Sequence, residues 1–316
     1  GVYKKFSAVV PNDTYFSSQW GLDNSGQTIE GQKGTFDADI DAPEAWNYIK
    51  GSPKIVIAIL DTGTDLNHED LKSKLWVNAK EIPNDNIDND LNGFTDDYYG
   101  WDFGNNDNTP MDSDVDSHGT HVSGIASAET NNNKGIAGVS WYPKLMSIKV
   151  FDDTGKTTSK QIADGIRYAA NNGAKIINMS FGGETSDPIV EYEINQAYDK
   201  GVVLVAAAGN DNTFIYFPAR LSKVIAVGAT DNKDWRWKEN EQTASNYGEG
   251  LDISAPGKSI YSTIRNNIYG YLTGTSMSAP FVSGAVALVL TKYPDLTPEQ
   301  VREHLMLTSH DLGSPG

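Results

Sequence analysis

Residues 55–63 read Ile-Val-Ile-Ala-Ile-Leu-Asp-Thr-Gly. The six apolar residues Ile55–Leu60, mostly β-branched, leave no polar face, so the run suits a strand buried on both sides. Similar runs recur at Leu145–Val150, Lys175–Met179, Val202–Ala208 and Val224–Ala229. Helical patterns lie between them, near His118–Ala128, Ser159–Asn172 and Pro188–Lys200, with a fourth from Ser276 to about Lys292. Thr297, Pro298 and Gln300 supply the N-cap, first-turn proline and capping-box glutamine of a last helix. Buried strands alternating with helices predict an α/β fold, a mostly parallel sheet with helices on both faces. One domain is expected over 1–316, with an irregular N-terminal arm over 1–48.

The chain has 316 residues, enough for a large core, and a net charge of −17. Such an acid excess makes the chain a poor nucleic-acid binder, since phosphate contacts need a basic face, and a poor partner for anionic membranes; neither is expected as a partner. There is no cysteine, so disulfides, thiolate catalysis and Cys-ligated metals are excluded. The longest apolar run, Phe281–Leu290, is too short to cross a bilayer. The first residue is Gly1, not Met. A leader and pro-segment already removed, or a trimmed chain, would explain that start.

Eleven carboxylates crowd between Glu81 and Asp116 with no Lys or Arg among them. Interleaved Leu91, Phe94, Tyr98, Tyr99, Trp101 and Phe103 argue against disorder. The loop over 81–117 is therefore read as a calcium-binding loop, with a merely solvated acidic face as the alternative. Within it, Asp88, Asp90, Asn92 and Asp96 fall at positions one, three, five and nine of an EF-hand-like loop. Gly93 is at six and Phe94 at seven, where such loops use a carbonyl. Tyr99 at position twelve departs from the pattern.

Three reactive side chains stand at the edges of buried elements. Asp61 follows the first strand, His118 opens a helix in His-Gly-Thr-His-Val, and Ser276 opens another in Gly274-Thr-Ser-Met-Ser-Ala-Pro280. Strand ends and helix starts are where open α/β sheets bind ligands. A serine needs a base to take its proton, and the base needs a carboxylate to fix its tautomer. Asn210, after Val-Leu-Val-Ala-Ala-Ala-Gly, offers an amide to a developing oxyanion, with the Ser276 N–H as second donor.

These motifs, with Ser180-Phe-Gly-Gly183, resemble the subtilisin-like serine proteases, most closely the thermitase-like branch. The order Asp61, His118, Ser276 differs from that of α/β-hydrolases and chymotrypsins. The resemblance spans roughly 12–292 and implies a three-layer peptidase. Its nucleophile would be Ser276, its base His118, its orienting acid Asp61, and Asn210 would line the oxyanion hole. It further implies that Ser180, Phe181, Gly182 and Gly183 pair with an extended substrate, that Gly155, Lys156 and Thr157 flank it, and that Tyr216 ends the primary specificity pocket. Two calcium sites are implied as well. The first would draw on Asp13, Asp70 and Asn132, with carbonyls of Glu129, Lys134 and Ile136. The second would draw on Asp102, Asn105, Asp107 and Thr109, with the Met111 carbonyl. The expected protein is a secreted, monomeric endopeptidase of broad specificity. It would hold two or three Ca2+ ions, act on proteins or peptides, and be matured from its own pro-segment.

Other readings fall away. His118 and His121, three apart, lack the His-Glu-x-x-His pattern and a third zinc ligand. Asp61-Thr-Gly63 and Asp153-Thr-Gly155 suggest an aspartic-protease pair, but Asp152 and Lys156 beside the second mark a turn. Gly155-Lys-Thr157 and Gly257-Lys-Ser259 lack the earlier glycine of a phosphate loop. A calcium- or peptide-binding module with an idle triad is the rival hypothesis; it leaves Asn210 unexplained.

Overall fold

The computed structural model describes residues 8–312. The stretch 56–61 forms an inner strand, third of seven, of a sheet in which every pairing is parallel. In chain order the elements are β1 (Thr28–Ile29), β2 (Gln32–Lys33), α1 (Ala42–Ala45), β3 (Val56–Asp61), β4 (Gly100–Asp102), α2 (His118–Ser127), β5 (Lys144–Lys149), α3 (Ser159–Asn171), β6 (Ile176–Met179), α4 (Pro188–Asp199), β7 (Val203–Ala207), β8 (Val224–Thr230), β9 (Ile253–Pro256), β10 (Ile260–Ile264), β11 (Ile268–Leu272), α5 (Thr275–Lys292) and α6 (Pro298–Thr308). Across the sheet the order is β4-β5-β3-β6-β7-β8-β9.

Strand alternation divides the core in two. Ile57 and Ile59 of β3 and Val203, Val205 and Ala207 of β7 face α2, α5 and the arm. Ala58 and Leu60, with Leu204 and Ala206, face α3 and α4. Successive strand residues point to opposite faces, so a run apolar at every position needs a helical layer on each. Full burial of each such aliphatic side chain contributes about 1.5–3 kcal/mol. α5 is buried along most of its length, as its nearly unbroken apolar sequence requires.

The expected strands and helices appear within two residues of their predicted ends. Three features were not anticipated: β4, which is three residues inside the acidic run; β9, which ends on Pro256; and the antiparallel β10–β11 hairpin, turned at Asn266 and Asn267, both at positive φ. From residue 8 to 48 the chain forms a 3-10 turn, a hairpin of two two-residue strands and α1, joined by loops. Trp20 and Trp46 anchor it in the core, with their indole N–H groups bonded to the Lys258 and Val139 carbonyls at 3.0 and 2.9 Å.

Candidate active site

β3 ends on Asp61 and α2 begins on His118, and the two meet. Nδ1 of His118 lies 2.6 Å from Oδ1 of Asp61, which also accepts the Thr62 N–H at 2.8 Å. An ionised carboxylate can only accept, so Nδ1 carries the proton and a neutral ring presents its Nε2 lone pair. Gly119 permits the approach: a Cβ there would sit 2.1 Å from the Gly63 carbonyl oxygen. Asp112 and Asp114 fix the start of α2 by accepting the Thr120 and His118 N–H groups at 3.0 and 3.1 Å. Burial pulls the His118 pKa down, but the charge and hydrogen bond of Asp61, helped by Asp114 and Asp112, outweigh it and leave the pKa raised. Asp61 is 1% exposed and His118 28%, so the pair is sealed on the acid side and open on the other. His121, one turn on, is fully buried. Its Nε2 donates to the Ile260 carbonyl at 2.9 Å, and burial pushes its pKa down to about 3.

Asn210 and the first turn of α5 are joined to each other. The Asn210 Oδ1 accepts the Thr275 N–H at 2.9 Å and the Thr275 hydroxyl at 2.8 Å. Its Nδ2 is thereby turned outward. Gly274, at φ +150°, lets the chain pass so closely that a Cβ would lie 3.2 Å from that nitrogen. Ser276 is in the first turn of α5, where N–H groups have no helical acceptor. Its hydroxyl donates to the Ser180 carbonyl at 2.9 Å. Among the described residues it makes no hydrogen bond to His118. Asp61 is bonded to His118 and Asn210 to the residue before Ser276, while the Ser276 hydroxyl is held by the Ser180 carbonyl and not by the imidazole.

The expected substrate walls are only partly free. The Gly183 N–H and carbonyl both pair with Phe217, at 2.8 and 2.9 Å, so Gly183 closes the pocket wall and has no edge to offer a substrate. Asp152 folds the segment after β5 into a turn. It takes the Gly155 N–H on its carbonyl at 3.0 Å, the Lys156 N–H on its carboxylate at 3.0 Å, and gives its own N–H to the Lys156 carbonyl at 2.8 Å. Lys156 therefore cannot pair with a substrate backbone, and Thr157 is left as the flank. Phe181 packs edge-on against Phe151 at 5.7 Å between ring centroids, bridging the two walls. Tyr216 lies over Gly209, where a Cβ would meet its ring at 2.8 Å, and its hydroxyl reaches Glu184 at 3.4 Å.

With this geometry in view, comparison with known proteins is direct. The subtilase family (Peptidase_S8) model matches residues 52–316. The chain is a subtilase. It is 40% identical to thermitase of Thermoactinomyces vulgaris over 284 residues, 89% of this chain and 86% of that one. A thermophilic serine proteinase of Bacillus sp. strain AK1 is 39% identical over 90% of this chain and 61% of its own length. A protease structure from Pseudoalteromonas arctica superposes with a TM-score of 0.77 at 30% identity, covering 96% of this chain and 93% of that one. The fold is thus the subtilisin-like three-layer α/β fold, and the protein is a subtilisin-like serine endopeptidase.

The three loops expected to hold calcium differ in how well they suit a cation. Around Asp70 the first loop does. Asp13 of the arm accepts the Asn131 N–H at 2.8 Å, and Asp70 accepts the Asn132 amide and the Ile136 N–H, both at 2.9 Å. Asn12 also exchanges hydrogen bonds with Asn131 and Asn133, stitching the arm down. Burial, with Asp70 nearby, pushes the Asp13 carboxyl up to about 6, and burial raises Asp70 too. Two buried carboxylates that repel each other, neither in an ion pair among the described residues, fit a divalent ion. The second loop has a resident cation missed by the sequence reading. The Lys149 ammonium, 1% exposed, lies 3.2 Å from Asp102 and 3.0 Å from Asp153. Asp102 also holds Asn105, and Asp107 caps Thr109, at 2.8 Å each. Calcium there would share Asp102 with an ammonium and bind more weakly than at the first loop. In the third loop, ligand atoms of Glu81, Asp88 and Asp90 lie within 4.8 Å of one another. Glu81, outside the spacing pattern, accepts the Asn89, Asp90 and Asp96 N–H groups at 2.9, 3.2 and 3.0 Å. Asp96 braces the loop by accepting the Asp85 and Asn86 N–H groups at 3.2 and 3.0 Å.

Proposed function

We propose that this endopeptidase is secreted, stabilised by calcium and broad in specificity, and that it cleaves peptide bonds through an acyl-enzyme on Ser276. The observation that carries the reading is the 2.6 Å Asp61–His118 bond, which keeps the proton on Nδ1 and leaves Nε2 free to act as a base. A substrate strand laid along 180–182 brings an N–H to the Ser180 carbonyl, which now holds that hydroxyl. Displaced, the hydroxyl turns to His118. Its oxygen attacks the scissile carbonyl as its proton passes to Nε2, and Asp61 stabilises the imidazolium. The oxyanion takes hydrogen bonds from Asn210 Nδ2 and the Ser276 N–H. The C–N bond then breaks, with the His118 proton going to the leaving amine, and water repeats the sequence on the ester.

Calcium would be held by Asp13, Asp70, Asn132 and the carbonyls of Glu129, Lys134 and Ile136; by Asp102, Asn105, Asp107, Thr109 and the Met111 carbonyl; and by Glu81, Asp88, Asp90, Asn92 and the Phe94 carbonyl. Its contribution would be structural, tying down the arm and the acidic loop. Residues 1–316 would act as one monomeric unit, released from its own pro-segment. No helix among the described residues is long and apolar enough to cross a membrane. The test is labelling with a serine-directed phosphonylating reagent. Modification at Ser276, and casein turnover abolished in Ser276→Ala with its melting curve intact, supports the reading. Casein binding without turnover, or a reagent that leaves Ser276 unmodified, overturns it.

A further inference from the structure

Ser276 stands four residues before Pro280 in α5. A helical carbonyl accepts the N–H four residues ahead, and proline has none. The carbonyl left without its helical donor is therefore that of the residue bearing the reactive hydroxyl. The Ser180 hydroxyl fills the gap, donating to the Ser276 carbonyl at 2.8 Å. That hydroxyl accepts from the Asn178 amide at 2.9 Å, and the Asn178 oxygen accepts from the Ser283 hydroxyl at 2.8 Å. Asn178, Ser180 and Ser283 are all buried, at 0%, 2% and 0% exposure. An asparagine inside an otherwise apolar central strand is explained by this chain. Alternation along β6 puts it on the face of Ile176, toward α5, where Ser283 lies two turns after Ser276. The bonds run head to tail in one direction, each group donating once to the next, starting and ending on α5.

We propose that Ser180 is a positioning residue for the nucleophile. Its hydroxyl stands in for the helical N–H that Pro280 cannot supply, and Asn178 and Ser283 orient it. The proposal rests on Ser276 being the nucleophile. Without the Ser180 hydroxyl, a buried carbonyl loses its donor and the first turn of α5 must shift to find another. Rate falls steeply with small displacements of a reacting atom, while binding of the extended substrate does not depend on this bond.

The experiment measures kcat and KM on a chromogenic peptide anilide, normalised by active-site titration. Ser180→Ala should lower kcat about tenfold or more and leave KM within about twofold. Ser283→Ala, at the far end of the chain, should lower kcat by a smaller factor in the same direction; it serves as the test if Ser180→Ala does not fold. Pro280→Ala restores an N–H four residues after Ser276, so in the Ser180→Ala background it should recover most of the lost kcat. Unchanged kcat in the foldable variants, a loss expressed in KM, or a Pro280→Ala effect equal in both backgrounds overturns the proposal. Ser276→Ala separates the two failures. If it keeps turnover, the nucleophile assignment fails with the rest; if it is inactive while Ser180→Ala is normal, only the positioning role fails.

Discussion

Replacing Asn210 with leucine removes one of two donors aimed at the developing oxyanion and keeps the side-chain size. Losing one such donor costs about 3–4 kcal/mol of transition-state stabilisation, or about 10²–10³ in kcat. KM should stay within about threefold, because the ground-state carbonyl lies short of the hole. The same residue also accepts two hydrogen bonds from Thr275, at 2.9 and 2.8 Å. At about 1 kcal/mol each, their loss should appear as a lower melting temperature. Thr275→Val separates the two effects. It deletes the hydroxyl but keeps the N–H that orients Asn210, so it should cost about 1 kcal/mol of stability and only a few-fold in kcat. Initial rates on a chromogenic peptide anilide, with active-site titration and thermal melts, measure all four numbers. The reasoning is refuted if Asn210→Leu loses activity through KM with kcat intact, or if Thr275→Val lowers kcat as much as Asn210→Leu does.

The raised pKa of His118 shifts the acid limb of kcat/KM upward from that of an ordinary histidine, and Asp114→Asn should move it back down; a pH–rate profile of both proteins checks this. Stability carries the opposite sign. Protonated His118 beside Asp61 favours the fold at low pH, and that contribution is lost as pH rises through the folded-state pKa. Excess chelator should lower the melting temperature, and Asp70→Asn should reduce the response by the share of the first site, since an ion bound only to the native state adds about 2.7 kcal/mol at a hundredfold excess over Kd. Tyr216→Gly should open the primary pocket and raise kcat/KM for large side chains before the cleaved bond by about tenfold or more, read from a peptide-library profile.

The layered fold was legible because Ile55–Leu60 and Val202–Ala208 are apolar at every position, and only burial on both faces explains that. The β10–β11 hairpin escaped because its tyrosines, serines and threonines mix polar and apolar character on both faces. Asp61, His118, Asn210 and Ser276 were legible as a set, each at the end of a readable element. What stayed hidden depends on partners distant in sequence. Lys149 looks like an interruption of a buried strand until Asp102 and Asp153 close on it. Gly183 reads as substrate edge until Phe217 takes both its backbone groups. Asn178 reads as an oddity until Ser283 and Ser180 give it a task.

A peptidase at working concentration meets one polypeptide more often than any other, namely copies of itself. Asn12 and Asp13 are held against 131–133 by a handful of hydrogen bonds and, on our reading, by one shared ion. Released, that stretch is an unpaired extended chain, the form a cleft edge accepts. Calcium depletion would then convert the enzyme into its own substrate. Loss of activity would follow second-order kinetics in enzyme, with the first nick in the arm, and shelf life would track free calcium more steeply than the melting curve does.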